Sequence, residues 1–253
     1  MVPGLASVSF RKLTPEEIVP LAAAAGLQAI EWGGDIHVPH GDLAAAERVR
    51  RLTCDAGLQV SCYGSYSRAG EGGDAAAVVD TALALGAPTI RIWAGKRGSA
   101  DADAQHWEQV VAACRSMLEH AAGKPVNIVF ETHGGTLTDT LKCELELLRR
   151  LSHPQIGVCW QPPNGQLLEP CEEWLKEVLP WTHHLHVFHW WPTSAARLPL
   201  RDGAARWRRY LSIARDHAKY ATLEFFKGDS VEQMRADAQT LRELLATNEW
   251  SQA

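Results

Sequence analysis

One feature constrains this chain more than any other: a short β-type run followed by a helical pattern, eight times over. The β-type runs fall at residues 2–10, 27–32, 58–63, 88–93, 125–131, 155–160, 185–188 and 221–226. Helical periodicity follows each, at residues 14–26, 42–56, 74–85, 103–122, 137–151, 172–178, 204–217 and 230–245. Thr14-Pro-Glu-Glu opens the first helix as cap, N1 proline and acidic first turn, and Gly26, Gly57 and Gly86 close the first three. Eight such units in 253 residues match the size and alternation of an α/β fold, the (β/α)₈ TIM barrel. A doubly wound dinucleotide-binding sheet wants a glycine-rich turn after its first strand, and SFRKLTPEE has none. No Pro- or Ser-rich linker divides the chain, so a single domain is expected over residues 1–246, with 247–253 as a C-terminal tail.

Composition narrows the class of partner. The formal charge of -5 and the absence of a Lys/Arg cluster argue against nucleic acid. No apolar run is long enough to span a bilayer, and MVPGLASVSF lacks the basic and apolar regions of a secretory signal. Six scattered cysteines without a C-x-x-C pair read as reduced thiols in a cytoplasmic protein. Ten tryptophans, against four tyrosines and five phenylalanines, supply flat faces of the kind that pack against sugars, although most belong to helix packing. Trp-rich late helices also leave room for a homodimer.

In a barrel, functional groups gather at the C-terminal ends of the strands. That rule selects Glu31 and His37 after strand two, Tyr63 and Tyr66 after strand three, and Arg91 and Trp93 on strand four. It further selects Glu131 and His133 on strand five, Trp160 and Gln161 on strand six, His186 and His189 on strand seven, and Glu224 on strand eight. An unpaired carboxylate in an apolar strand is costly to bury, so Glu131 in NIVFE and Glu224 in TLEFF read as functional. His183 and His184 read as surface residues leading into strand seven, and His189 as lining without ligating. Glu and His donors together suit a borderline divalent ion such as Mn²⁺, Mg²⁺, Co²⁺ or Zn²⁺.

The segments AGLQAIEWGGDIHVPHGD, VFETHGG, HLHVFHWW and LEFF resemble, in that order, the strand-end motifs of the xylose isomerase-like TIM-barrel superfamily of sugar isomerases and epimerases. The resemblance runs from Ser7 to about Leu245. It implies one divalent metal held by residues ending strands five to eight: here Glu131, Gln161, His186 and Glu224. The family has Asp where this chain has Gln161, a departure that removes one negative charge from the ligand set.

The resemblance further implies isomerisation or epimerisation of a small sugar or keto-sugar derivative through an enediolate. Glu131 and Glu224 would act as base and acid, and the metal would stabilise developing charge. Glu31, His37, Tyr63, Arg91, Trp93, His133, Trp160, His189 and Trp191 would contact the substrate. Trp32 and Trp190 would stand near the mouth, and Arg68 or Arg91 would take an anionic terminus. A metal-dependent lyase or dehydratase using the same site is the alternative. A non-catalytic sugar-binding barrel with a degenerate metal site is the third reading. The three-zinc DNA-repair chemistry seen on this fold needs extra histidines, and Cys62-Tyr63, Arg91-Trp93 and Asn164 stand in those regions instead.

Overall fold

The computed structural model describes residues 1–246, so the tail at 247–253 lies outside the described residues. Eight parallel strands close on themselves in sequence order, with β1 paired to both β2 and β8. The strands are β1 Val2–Ala6, β2 Ala29–Gly33, β3 Gln59–Arg68, β4 Thr89–Trp93, β5 Asn127–Glu131, β6 Ile156–Trp160, β7 Thr182–Val187 and β8 Tyr220–Leu223. The helices that return the chain are α1 Pro15–Ala24, α2 Leu43–Asp55, α3 Ala75–Leu85, α4 Ala104–Ala121, α5 Leu141–Leu151, α6 Leu168–Val178, α7 Ala204–Ala214 and α8 Val231–Ala246. None of them is long and apolar enough to cross a membrane. All six cysteines are free.

Several boundaries differ from the sequence reading, each for a local reason. The first strand stops at Ala6, and Ser7–Phe10 turns as a 3-10 helix that lets Ser7 Oγ accept from the Gly33 amide. Helix α5 begins at Leu141, not 137, because Thr136 and Thr138 hold a turn against the His133 and Glu131 carbonyls. Strand β7 starts at Thr182, which brings His183 and His184 into the sheet. Strand β8 ends at Leu223, and Glu224 follows with its amide donating to the Val187 carbonyl.

The period-two pleat divides each strand between two environments. Ile30, Trp32, Tyr63, Ile90, Ile92, Ile128, Phe130, Ile156, Val158, Trp160, Leu185, Val187 and Leu223 belong to the apolar core shared with the helices. Their alternates Glu31, Cys62, Arg91, Glu131, Cys159, His184, His186 and Thr222 are equally buried, inside the barrel. A barrel interior normally fills with branched aliphatics. This one is polar and charged through much of its depth.

A second buried carboxyl fixes the outer layer. Glu144 on α5 accepts from Trp174 Nε1 of α6 at 2.5 Å and from Thr132 Oγ1 at 3.0 Å, tying two helices to the loop after β5. No cation is among these partners, and burial raises its pKa to about 7. The folded state therefore binds this proton more tightly than the unfolded chain. Its stabilising effect is complete below the ordinary glutamate range and is lost as pH climbs through 7. Relative to Glu144→Gln, the parent should lose about 3 kcal/mol of unfolding free energy between pH 5 and pH 8. Urea denaturation of both proteins at the two pH values measures this, and a pH-independent difference would show that Glu144 keeps its charge in the fold.

Candidate active site

The site is built on Arg91, 1% exposed and inward-facing on β4. Its Nε donates to Glu31 Oε1 on β2 at 2.7 Å, and its Nη1 donates to Glu131 Oε2 on β5. Each carboxylate is then claimed from a second side. His186 Nε2 on β7 donates to Glu31 Oε2 at 2.9 Å. Trp93 Nε1 donates to Glu131 Oε2 at 2.6 Å, and Gln161 Nε2 donates to Glu131 Oε1 at 3.1 Å. Space for the guanidinium comes from Gly64: a Cβ there would stand 2.7 Å from both Arg91 Nη2 and Glu31 Oε1.

Two consequences follow for charge. Burial opposes ionisation of Glu31 and Glu131, but Arg91 and His186 outweigh it and hold both carboxyls below the usual range. Glu224 has no ion pair with Arg91, unlike the other two. Burial, reinforced by repulsion from Glu131 and partly offset by His186, pushes its pKa up to about 7. Burial also opposes charge on His186, yet Cys159, Glu224 and Glu31 raise its pKa well above the ordinary histidine range.

The Glu31 contact also orients His186. With the Nε2 proton given to Glu31, Nδ1 faces Glu224 Oε2 at 3.5 Å and Glu131 Oε1 at 4.0 Å. Glu131, His186 and Glu224 offer ligand atoms that all lie within 4.8 Å of one another. His186 Nδ1 and Gln161 Oε1 are buried without a hydrogen-bond partner. Two carboxylates, an amide oxygen and an imidazole nitrogen that becomes a ligand once His186 releases its Nδ1 proton are a donor set that fits a divalent cation.

Above these groups opens a cleft of about 80 Å³, lined by Tyr66, Arg91, Trp93, Glu131, His133, Gln161, Trp190, Glu224 and Phe225. Aromatic rings form its walls. Tyr66 lies between the guanidinium groups of Arg91 and Arg11, at 5.1 and 5.9 Å, and edge-on to Trp93. Burial raises the Tyr66 hydroxyl to about 12, so it stays a neutral donor. Trp93 packs against His133 with ring centroids 5.1 Å apart, and Arg68 covers Trp93 at 4.0 Å. His133 Nδ1 lies 2.6 Å from the Gly134 carbonyl, an acceptor only, so Nδ1 donates there. Tyr66 and Phe225 hold φ of 59° and 45°, left-handed conformations unusual for aromatic residues and concentrated at this mouth.

Of the residues expected at the site, Tyr66, Arg91, Trp93, Glu131, His133, Gln161 and Glu224 share this cleft, with Glu31 and His186 beneath it. The others sit elsewhere. The pleat turns Trp160 to the outside of β6, where it packs edge-on to Tyr210 of α7. Tyr63 likewise faces outward, its hydroxyl donating to the Val38 carbonyl. Trp32 donates to Thr53 of α2. His37 is held between Ser7 Oγ and the Leu13 carbonyl. His189 and Trp191 line a small neighbouring cleft of about 20 Å³ with Arg206, Trp207 and Tyr210, and Trp190 borders both. His184, expected at the surface, is 1% exposed and lies inside the barrel beside His186, because β7 begins three residues earlier than its apolar run suggests. Phe225 was not anticipated: LEFF shows no sign that the chain reverses hand after Glu224.

A sequence model described as a xylose isomerase-like TIM barrel matches residues 19–244. A curated 3-dehydroshikimate dehydratase of Bacillus anthracis is 27% identical over 274 residues, covering 94% of this chain and 95% of its own. Among solved structures, the probable 3-DHS dehydratase AsbF, involved in petrobactin synthesis in Bacillus anthracis, superposes with a TM-score of 0.79 at 23% identity, covering 96% of this chain and 99% of that one. A D-allulose 3-epimerase from Methylomonas sp. gives a TM-score of 0.70 at 13% identity, with 96% and 97% covered.

The tight fit around Arg91 is open to a direct test. Gly64→Ala should force the guanidinium off Glu31 and destabilise the protein by about 1–3 kcal/mol. Chemical denaturation measures it, and an unchanged midpoint would mean that the barrel interior relaxes freely around Arg91.

Proposed function

The chain belongs to the xylose isomerase-like TIM-barrel family, and on that footing we propose that it is a divalent-metal-dependent dehydratase of a small hydroxylated keto compound, with 3-dehydroshikimate as the substrate to test first. The convergence of Glu131, Gln161, His186 and Glu224 beneath an aromatic-walled cleft carries the reading. The full-length similarity to a 3-dehydroshikimate dehydratase supports elimination as the outcome.

A divalent ion held by Glu131, Gln161, His186 and Glu224 would polarise the substrate carbonyl and stabilise charge developing on its oxygen. The protein's own groups do the remainder. Arg91 and Trp93 fix the Glu131 carboxylate in its ionised form. Glu224, balanced near neutrality, takes the proton from the carbon next to the carbonyl. The electron pair released there forms a double bond to the adjacent carbon and expels its hydroxyl. A proton returned from Glu224 converts the departing hydroxyl to water, so the substrate loses one water and nothing is oxidised. His133 stands at the rim of the same cleft. Tyr66, Trp93, Trp190 and Phe225 cover the ring and exclude bulk water.

Epimerisation is the second reading, supported by two carboxylates at one mouth and by the epimerase among the similar folds. It shares the first step and differs in its ending: the proton returns to carbon and no hydroxyl departs. Incubation of the chelator-treated protein with Mn²⁺ or Mg²⁺ and 3-dehydroshikimate should yield an aromatic product by ultraviolet absorbance. Glu224→Gln should lower kcat by at least about 100-fold. No turnover, together with deuterium uptake next to the carbonyl of keto-sugars in D₂O, would replace dehydration with epimerisation.

Gln161 tests the ligand set separately. Gln161→Asp restores a carboxylate at the end of β6 and should tighten Mn²⁺ binding about tenfold, roughly 1.4 kcal/mol. Titration calorimetry of parent and variant reads this, and equal affinities would remove Gln161 from the ligand set.

A further inference from the structure

The mouth has no uncompensated cation to hold an acidic end of a substrate. Arg91 and Arg68 are the residues expected to take one, and both are engaged. The charge of Arg91 is matched by Glu31 and Glu131, and Glu224 lines the same cleft. Arg68 lies over Trp93 at 4.0 Å, donates to the Gly95 carbonyl at 3.3 Å and lines a different cleft. The mouth is also small. Its volume of about 80 Å³ falls short of the roughly 300–1,000 Å³ usual for ligand sites, so a substrate reacting there extends beyond it.

A cleft of about 680 Å³ adjoins the mouth, with Phe225 as the shared wall. Its lining brings Arg11 and Lys12, from the turn after β1, together with Arg197 from the loop after β7. Against these three cations stands one carboxylate, Asp229. That balance is opposite in sign to the chain's net charge of -5. Both arginines are anchored: Arg11 Nη2 donates to Asp35 Oδ2 at 2.5 Å, and Arg197 Nη1 donates to Asp229 Oδ1. One such contact uses only part of a guanidinium's donor set, so each fork stays open to a second anion. Lys12 makes no ion pair among the described residues. Ser9, 6% exposed, adds a neutral donor: its Oγ accepts from the Phe225 amide at 2.9 Å, which leaves its hydroxyl proton to give.

These cations reach the walls of the mouth itself. Arg197 lies 4.6 Å from the Phe225 ring centroid and 5.8 Å from that of Trp190, and Arg11 lies 5.9 Å from that of Tyr66. Phe225 directly follows Glu224, so the partition between the clefts stands one residue from the group that moves the proton. We propose that Ser9, Arg11, Lys12 and Arg197 bind an anionic terminus of the substrate, a carboxylate or a phosphate, while its reacting end lies at the mouth. The assignment rests on the proposed function only for the position of the reacting end. Guanidinium forks grip either oxyanion bidentately, and Phe10 and Phe225 beside them reduce competition from water. A neutral keto-sugar forgoes these contacts and binds more weakly.

Matched ligands that differ in charge read the subsite without turnover. Shikimate and sorbitol 6-phosphate, neither of which has a ketone to react, are compared with methyl shikimate and sorbitol. Titration calorimetry of the full chain with Mn²⁺ present gives the four affinities. At least one charged ligand should bind about tenfold or more tighter than its neutral counterpart. Arg197→Gln and Lys12→Met should each cut that preference at least about threefold and leave the neutral ligand's affinity unchanged. Lys12 is exposed, so its replacement spares the fold even where Arg197→Gln disturbs the loop. Lys176→Met on α6 changes the net charge equally and should leave the preference whole. No preference in either pair overturns the subsite, as does one that both cleft variants keep in full or that Lys176→Met also removes. A preference in the phosphate pair alone upholds the subsite and displaces 3-dehydroshikimate as the substrate. A carboxylate preference without dehydration upholds it and displaces the dehydratase reading, so the two proposals fail separately.

Discussion

A guanidinium group inside a β-barrel is the constraint around which the rest of this structure is arranged. A charge that far from water is tolerable only when its partners are close, ionised and correctly aimed. Arg91 meets that condition through Glu31 on one side and Glu131 on the other, which ties β2, β4 and β5 together. Removing one partner of such a buried pair generally costs roughly 3–5 kcal/mol, because the charge left behind is uncompensated. The network is therefore a poor place for variation in any residue that sets its geometry, Gly64 included.

The same network sorts the ionisable groups by role. Contact with Arg91 keeps Glu131 charged, and distance from it lets burial bring Glu224 to about 7. Two carboxyls at one mouth, one fixed and one able to exchange protons, are what proton transfer next to a carbonyl requires. Glu31 takes no direct part in the cleft. It acts through His186, holding the Nε2 proton so that Nδ1 faces the other carboxylates. Arrangements of this kind, in which an outer carboxylate orients a ligating imidazole, raise the basicity of the ligand and fix its ring.

Aromatic residues divide by the pleat. Trp32, Tyr63 and Trp160 end their strands as plausibly as Trp93 does, yet they face the helices and build the outer core, while Trp93 faces in. The remaining walls come from less regular chain: Tyr66 at the register shift within β3, Trp190 after β7, and Phe225 directly after Glu224. Tyr66 and Phe225 have the left-handed backbone, which lets successive side chains leave the strand alternation and lean over the mouth.

The sequence by itself determined the fold, because eight alternating β and helical periods admit few closed solutions, and Glu131 and Glu224 stood out as charges within apolar strands. It also marked Gln161, a neutral side chain in a position where the resembling family carries a carboxylate. Tertiary structure alone decided which way each residue faces and what it meets. A strand boundary shifted by three residues moved His184 from the surface to the barrel interior. The parity of the pleat separated Trp160 from its neighbour Gln161 and sent one outward and the other to the mouth. The pairing of Arg91 with Glu31 and Glu131 joins residues 60 and 40 positions apart, and His186 reaches Glu31 across 155. Local periodicity holds no information about such distances. They are set by closure of the barrel, which brings β2 and β7 within hydrogen-bonding reach across its interior.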